Sequence, residues 1–302
     1  MVMLHTLPFA ELQRRLFDWY QKNRRDLPWR GQTDPYAILV SEVMLQQTGV
    51  ERVAQSYERF LTQFPTFAAL ASASRGDVLR AWAGLGYNRR AVYLQECAQT
   101  VVLEFAGELP SQTEQLRRLP GLGPYTIAAI QSFAYGFDVA ALDTNLRRVL
   151  ARLAGIGTPT DQQLKAVAVS LLPPGRSADW NQALMDFGSL QCTAIRPRCI
   201  VCPLLDLCGA VQDQSVPTLE RKVAERPEPY LGSRRYFRGK IVAFLRDLPP
   251  GQTASLDELL HAVKPEPGEG DRAWLESLVR DLVGHGLAQI VEADEPRVAA
   301  PA

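Results

Sequence analysis

Apolar positions recur at helical spacing through most of the first two hundred residues. Residues 9–23 carry them at three- and four-residue intervals, which predicts one amphipathic helix. The next segment, RRDLPWRGQTDPY, reads as a structured loop with Trp29 as its anchor. Asp34 followed by Pro35 is a helix start: a capping side chain, then a residue suited to the first helical position. The helix that follows, YAILVSEVMLQQT, is apolar nearly all round and belongs in a domain centre. Further helices are expected near residues 53–64, 67–73, 77–82 and 91–105. Two breaks stand out. Gly84-Leu85-Gly86-Tyr87 makes a sharp turn with Leu85 and Tyr87 at its tip, and Pro120-Gly121-Leu122-Gly123 stops one short helix before another starts at Pro124. A glycine-containing break at Tyr135 and Gly136 precedes a helix over residues 145–153.

The last ninety residues have a different texture. Residues 211–233 are rich in Pro, Glu and Arg and read as a linker. Helices are expected over 235–248, from Ser255 (with Glu258 completing a capping box), and over 271–283, with a strand at 287–291. Three helices and a small hairpin suggest a winged-helix-like domain over 234–302. Residues 1–210 then form the main body.

Composition narrows the setting. The chain has 302 residues, 46% of them apolar, enough for two or three domains with full cores. No apolar run reaches membrane-spanning length, and the N-terminus lacks the pattern of a signal peptide. A cytoplasmic protein is expected, so its five cysteines are not expected to pair as disulfides. The net charge is zero, with residues 1–208 leaning basic and 209–302 leaning acidic. Affinity for nucleic acid would have to come from local arginine pairs such as Arg89–Arg90, although any one such pair can be a solvated helix face. The three histidines, His5, His261 and His285, lie outside the motif-bearing stretch, which leaves acid–base chemistry there to carboxylates.

Four patterns carry candidate chemistry. Glu42 stands in the apolar helix between Leu39 and Val43; it either occupies the helix's one wet side or is a buried carboxyl with a raised pKa, suited to general acid–base work. The turn at residues 84–87, followed by Arg89 and Arg90, suits a wedge entering a base stack beside phosphate-holding cations, or equally a turn with two core anchors. The tight turn before Pro124 places backbone N–H groups at a helix N-terminus, a ready anion site. Cys192, Cys199, Cys202 and Cys208, spaced C-x6-C-x2-C-x5-C, mean a metal centre; zinc and iron–sulfur both accept four thiolates.

Together, LPGLGPYT, the LDTN that follows it, SEVMLQQT and the cysteine spacing resemble the base-excision DNA glycosylases related to endonuclease III and MutY. The resemblance covers about residues 8–208. It implies a mainly α, two-lobed helix-hairpin-helix DNA glycosylase fold with a [4Fe-4S] cluster loop. It implies Glu42 and Asp143 as catalytic carboxylates, with Asn145 and Tyr125 polarising water or the carboxylates. Gln47 matches a glutamine that the MutY-type enzymes wedge into the stack, and Tyr87 an intercalating tyrosine. Leu85, Arg89, Arg90 and the hairpin residues Gly121, Leu122 and Gly123 are expected at the DNA, and Trp29 and Arg30 are candidates for it.

Two departures qualify the match. The chain has GLGYN where the family has GLGYY, and its C-terminal third is too short and too helical for the usual β-rich domain that recognises 8-oxoguanine. Tyr125 stands where the endonuclease III branch has a Schiff-base lysine, which implies a monofunctional enzyme. The expected activity is hydrolysis of the N-glycosidic bond of a flipped-out base in double-stranded DNA containing a mismatch or damaged base, by a monomer. Adenine opposite 8-oxoguanine or guanine is the favoured target. The alternatives are another base (hypoxanthine, or mismatched thymine or uracil) and a non-catalytic iron–sulfur DNA-binding protein.

Overall fold

The computed structural model describes residues 8–212, 229–249, 251–291 and 296–302. Its helices in chain order are α1 (Phe9–Asn23), α2 (Pro35–Leu45), α3 (Val50–Gln63), α4 (Phe67–Ser72), α5 (Arg75–Ala81), α6 (Arg89–Glu104), α7 (Thr113–Leu116), α8 (Pro124–Phe133), α9 (Thr144–Leu153), α10 (Asp161–Leu171), α11 (Ser177–Leu190), α12 (Gly209–Gln212), α13 (Arg234–Asp247), α14 (Leu256–Val263) and α15 (Asp271–Gly284). Three short strands, β1 (Ala254–Ser255), β2 (Gln289–Ile290) and β3 (Arg297–Ala299), form one antiparallel sheet in the order β1-β3-β2. The protein is mainly α, with little sheet.

The helix starts follow from side chains present in the sequence. Asp34 accepts a hydrogen bond from the Tyr36 N–H at 3.0 Å and starts α2. Thr66 and Ser74 cap α4 and α5, and Ser255 and Glu258 form the reciprocal capping box expected for α14. Two helices, α10 and α11, were not anticipated. Their apolar positions are real, but the Pro-Pro-Gly interruption at 173–175 and the Asn, Asp and Gly residues within α11 dilute the pattern. Tertiary burial forms α11: Trp180, Ala183, Leu184 and Phe187 are almost fully enclosed.

Contacts divide the chain into two compact units. One comprises residues 1–39, 111–117 and 122–225. Its core joins Leu12 and Leu16 of α1 to the apolar faces of α9, α10 and α11, with Phe17 edge-on to Trp180 at 5.8 Å and Trp19 edge-on to Phe187 at 5.0 Å. A buried polar residue orders this unit. Asn181 donates to Ser132 Oγ at 2.9 Å and to the Val139 carbonyl at 2.8 Å, and accepts from the Ala141 N–H at 3.1 Å. That pins the extended segment leading into Asp143.

The other unit comprises residues 40–110, 118–121 and 226–302. Its body is α3–α6, packed around Tyr57, Phe60 and Trp82. Gln95, 1% exposed, donates to the Ala73 carbonyl at 2.8 Å and so ties α6 to the end of α4. The three C-terminal helices and the small sheet belong to this same unit. Phe237 of α13 meets Trp274 of α15 edge-on at 4.9 Å. The chain's end is also held here, with the Arg75 N–H donating to the Ala302 carbonyl at 3.2 Å. The expected linker, 211–233, lies largely outside the described residues.

Candidate active site and cysteine loop

In the first unit, Asp143 is the N-cap of α9. Its carboxylate accepts from the Leu146 N–H at 2.7 Å and from Asn145 Nδ2 at 3.1 Å. Burial is the dominant influence on this group and raises its pKa above the usual 3.8, against the lowering effect of those donors and of Arg148. Asn145 is fixed in turn. Its Oδ1 accepts from Arg148 Nη2 at 2.9 Å; the same nitrogen donates to the Gly188 carbonyl at 2.7 Å, and Arg148 Nε donates to the Cys192 carbonyl at 3.0 Å. Gly188 is required by packing, since a Cβ there would stand 2.7 Å from the Cβ of Asn145. One chain of hydrogen bonds therefore runs from Asp143 through Asn145 and Arg148 to the first cysteine.

Arg152, 7% exposed, extends the link. It donates to Cys192 Sγ at 3.3 Å and to the carbonyls of Thr193 and Ala194. Cys192, Cys199, Cys202 and Cys208 all line one mostly apolar cavity of about 100 Å3 against α9. Burial pushes the Cys202 thiol up to about 11 and the Cys208 thiol in the same direction. Among the described residues no three or more His, Cys, Asp or Glu side chains gather closely enough to hold a single metal ion. Cys97, the fifth cysteine, is buried in α6, its thiol pushed up to about 12.

Two candidate DNA residues in this unit have other work. Trp29 is only 9% exposed and packs in the interior. Arg30 donates to Oδ1 of the fully buried Asp186 at 2.8 Å, an acceptor it shares with Arg25. Removing both cations would strand a buried carboxylate, so Arg30 serves here as a structural ion-pair partner. Asp186, Asn181 and Arg152 carry no local signal in the sequence, because their partners lie 40 to 161 residues away, and the basic pair Arg147–Arg148 does not reveal the internal role of Arg148.

The hairpin turn has the expected local geometry. Gly121 has φ +77°, Leu122 is half-buried and Gly123 is the N-cap of α8, with Pro124 at the first helical position and no side chain capping the end. In the second unit, Gly121 sits against Tyr93, where a Cβ would meet the Tyr93 Cβ at 2.8 Å. Tyr125 is half-buried in the first turn of α8.

Glu42 lies in α2 at 5% exposure, so it does not occupy a wet side of that helix. The helix ends in a turn where Gln47 has φ +56°, and the second turn places Tyr87 at φ +45°. Among the described residues the only other non-glycine with positive φ is Ala106. Left-handed backbone at a bulky side chain is costly and needs support. Arg90 supplies it. Its guanidinium donates to the carbonyls of Val43, Met44 and Gln46, to Thr48 Oγ1, and to the carbonyls of Leu85 and Gly86, at 2.5–3.2 Å. Burial lowers its pKa to about 10. Arg90 is thus a clamp between the two turns, not the expected phosphate ligand. Leu85 is likewise 1% exposed and anchors its turn from inside, which corrects its expected place at the tip. Tyr87 is 47% exposed, and Arg89 is exposed with its guanidinium 4.9 Å from the Tyr93 ring centroid.

Residues 40–174 match the HhH-GPD superfamily base excision DNA repair protein family. The chain is 40% identical over 273 residues to an adenine DNA glycosylase of Mycolicibacterium smegmatis, covering 89% of this chain and 91% of that protein. It is 44% identical to the human adenine DNA glycosylase, over 65% of this chain and 39% of that protein. The mycobacterial match therefore reaches into the C-terminal third, whereas the human match spans two thirds of the chain. Among solved structures, a thermostable thymine-DNA glycosylase superposes with a TM-score of 0.65 at 30% identity, over 68% of this chain and 96% of that one. Endonuclease III trapped on DNA shares the fold, with a TM-score of 0.60 at 21% identity over 69% of this chain and 99% of that one. No helix among the described residues is long and apolar enough to cross a membrane. The chain belongs to the HhH-GPD superfamily of base excision DNA repair proteins, among the DNA glycosylases of the adenine-specific branch.

Proposed function

We propose that the protein is a monofunctional glycosylase that removes adenine mispaired with 8-oxoguanine or guanine from double-stranded DNA. The observation that carries this reading is the burial of Glu42 within an otherwise apolar helix. A purine leaves easily only when its ring is protonated, and a glutamic acid shielded from water is suited to deliver that proton. Asp143 then faces the cation that develops on the sugar. Its donors hold it in one orientation, as the two-carboxylate logic of sugar hydrolysis requires. Asn145 positions Asp143 and water; Tyr125, with no amine, forms no Schiff base, so the DNA backbone stays intact.

Gln47 and Tyr87 are the wedge that takes the place of the flipped base. Their supported left-handed backbone and the exposure of Tyr87 favour this role. The hairpin amides of Leu122, Gly123 and Tyr125 hold a phosphate. The four cysteines are proposed ligands of a [4Fe-4S] cluster. They line one cavity, and their C-x6-C-x2-C-x5-C spacing resembles that of the cluster loop in the endonuclease III and MutY family. Held by all four thiolates, such a cluster would have no position left for substrate and would serve to fix the cysteine loop against α9.

Adenine removal from defined duplexes, scored as abasic sites under single-turnover conditions, tests the assignment. Glu42→Gln should abolish release of adenine. Release of thymine opposite guanine, untouched by that substitution, would favour the thymine-directed reading that the name of one structural relative suggests.

A further inference from the structure

Beside the Tyr87 turn, within the second unit, lies an open cavity of about 650 Å3. Its walls come from parts of the chain far apart in sequence: the two wedge turns on one side, and Tyr230 with α13 of the C-terminal domain on the other. Arg52, Arg89, Arg235 and Arg238 line it and no carboxylate does. Among the described residues, only Arg238 of these four has an acidic neighbour, Asp281 at 3.4 Å, which is shared with Arg234. The Arg235 guanidinium stands 6.0 Å from the Tyr87 ring centroid and 5.2 Å from that of Tyr230. Both rings are about half exposed.

The C-terminal domain begins with four basic residues near one another, and the structure sorts them. Arg234 turns to Asp281 and Ser277, and Lys240 donates to the Val263 carbonyl at 2.9 Å, so both serve their own domain. Arg235 faces the cavity; Arg238 also lines it while contacting His285 Nδ1 at 2.7 Å and Asp281 at 3.4 Å of its own domain. Positive charge gathered in a concavity without counter-charge concentrates anions. Flat aromatic faces and the amides of Gln46 and Gln47 beside it suit a polyanion that also carries bases.

Resting on the glycosylase reading above, we propose that α13 is a DNA-binding element: Arg235, with Arg89 and Arg238 beside it, holds backbone phosphates where Gln47 and Tyr87 enter the stack. The C-terminal domain then supplies affinity and register. It does not choose the base. Phosphate contacts carry no sequence information, so their loss weakens every duplex alike and flattens the salt dependence.

The test is equilibrium binding of the full chain to fluorescent duplexes bearing an uncleavable abasic analogue opposite 8-oxoguanine, guanine or thymine, across a salt series. Arg235→Ala should weaken binding roughly five- to tenfold on all three duplexes and reduce the log–log salt slope by about 1. Arg235→Lys should restore most of the slope, because it restores the charge. Arg280→Ala, an exposed arginine of α15 that does not line the cavity, should change neither quantity. Unchanged affinity and slope in Arg235→Ala would overturn the proposal, as would a loss confined to one opposite base, which would make Arg235 a base reader. Failure of the wild type to release adenine would instead remove the enzymatic reading and leave the binding result standing.

Discussion

Two regions of this protein use the same device, an arginine whose donors are taken up by internal acceptors, for opposite ends. At the turns that carry Gln47 and Tyr87, Arg90 is consumed by backbone carbonyls and holds two left-handed residues in place. Beside α9, Arg148 spends its donors on one side chain, Asn145, and on two carbonyls of neighbouring segments. The first arrangement stabilises a backbone shape. The second orients a carboxylate and couples it to a distant loop. Each arginine has a sequence neighbour with a different environment: Arg89 is exposed on Tyr93, and Arg147 pairs with Asp161 at 2.6 Å. In both tandem pairs one member is internal, so a basic dipeptide overstates the charge available to DNA.

The largest effect should come from the carboxylate that the second region orients. Asp143→Asn should bind a mismatched duplex with nearly wild-type affinity while its single-turnover base release falls roughly 10^3-fold. Asparagine caps helices as well as aspartate does, so α9 should persist. Turnover near the wild-type rate would remove Asp143 from the chemistry altogether.

The same substitution made in both regions then separates shape from orientation. Arg90→Met leaves several buried acceptors without a donor and releases two strained turns; a loss of about 3 kcal/mol in urea unfolding is expected. Arg148→Met should cost less stability but reduce base release roughly tenfold at saturating enzyme, because Asn145 loses its anchor. The cysteine loop should loosen too, measured as iron content per chain after purification. Equal losses of stability with no difference in release would mean that the two arginines do one job.

Much of this was readable before any coordinates. The cap at Asp34, the Gly-x-Gly hairpin, the capping box at Ser255 and the cysteine spacing are local signals, each written within a few consecutive residues. The misassigned residues share one cause. Leu85, Arg90 and Arg30 stand in motifs whose spacing is correct, but whether such a side chain turns outward depends on partners far along the chain. Arg90 meets acceptors more than forty residues earlier, and Arg30 meets Asp186, 156 residues later. Arginine is amphipathic enough to serve either side, so type and spacing alone cannot decide. Tyr87 and Gln47 gave no backbone signal at all, since a positive φ at a non-glycine follows from surrounding structure.

The smallest expected effect concerns pH, and it probes how firmly the Asp143 carboxylate is enclosed. Burial raises its folded-state pKa above the ordinary 3.8 despite three donors and a nearby cation. A carboxyl with a raised folded pKa contributes stability in its protonated form. That contribution is complete below the unfolded pKa and is lost as pH rises through the folded one. Wild type should therefore lose ground to Asp143→Asn between acid and neutral pH, with the variant melting higher at neutral pH and the gap closing in acid. The catalytic limb should move with it: since the ionised form meets the sugar cation, base release on the acid side should fall at a pH above 3.8. A melting gap that widened in acid would mean that the donors from Leu146 and Asn145 outweigh burial, and that the carboxylate is ionised at lower pH than its enclosure implies.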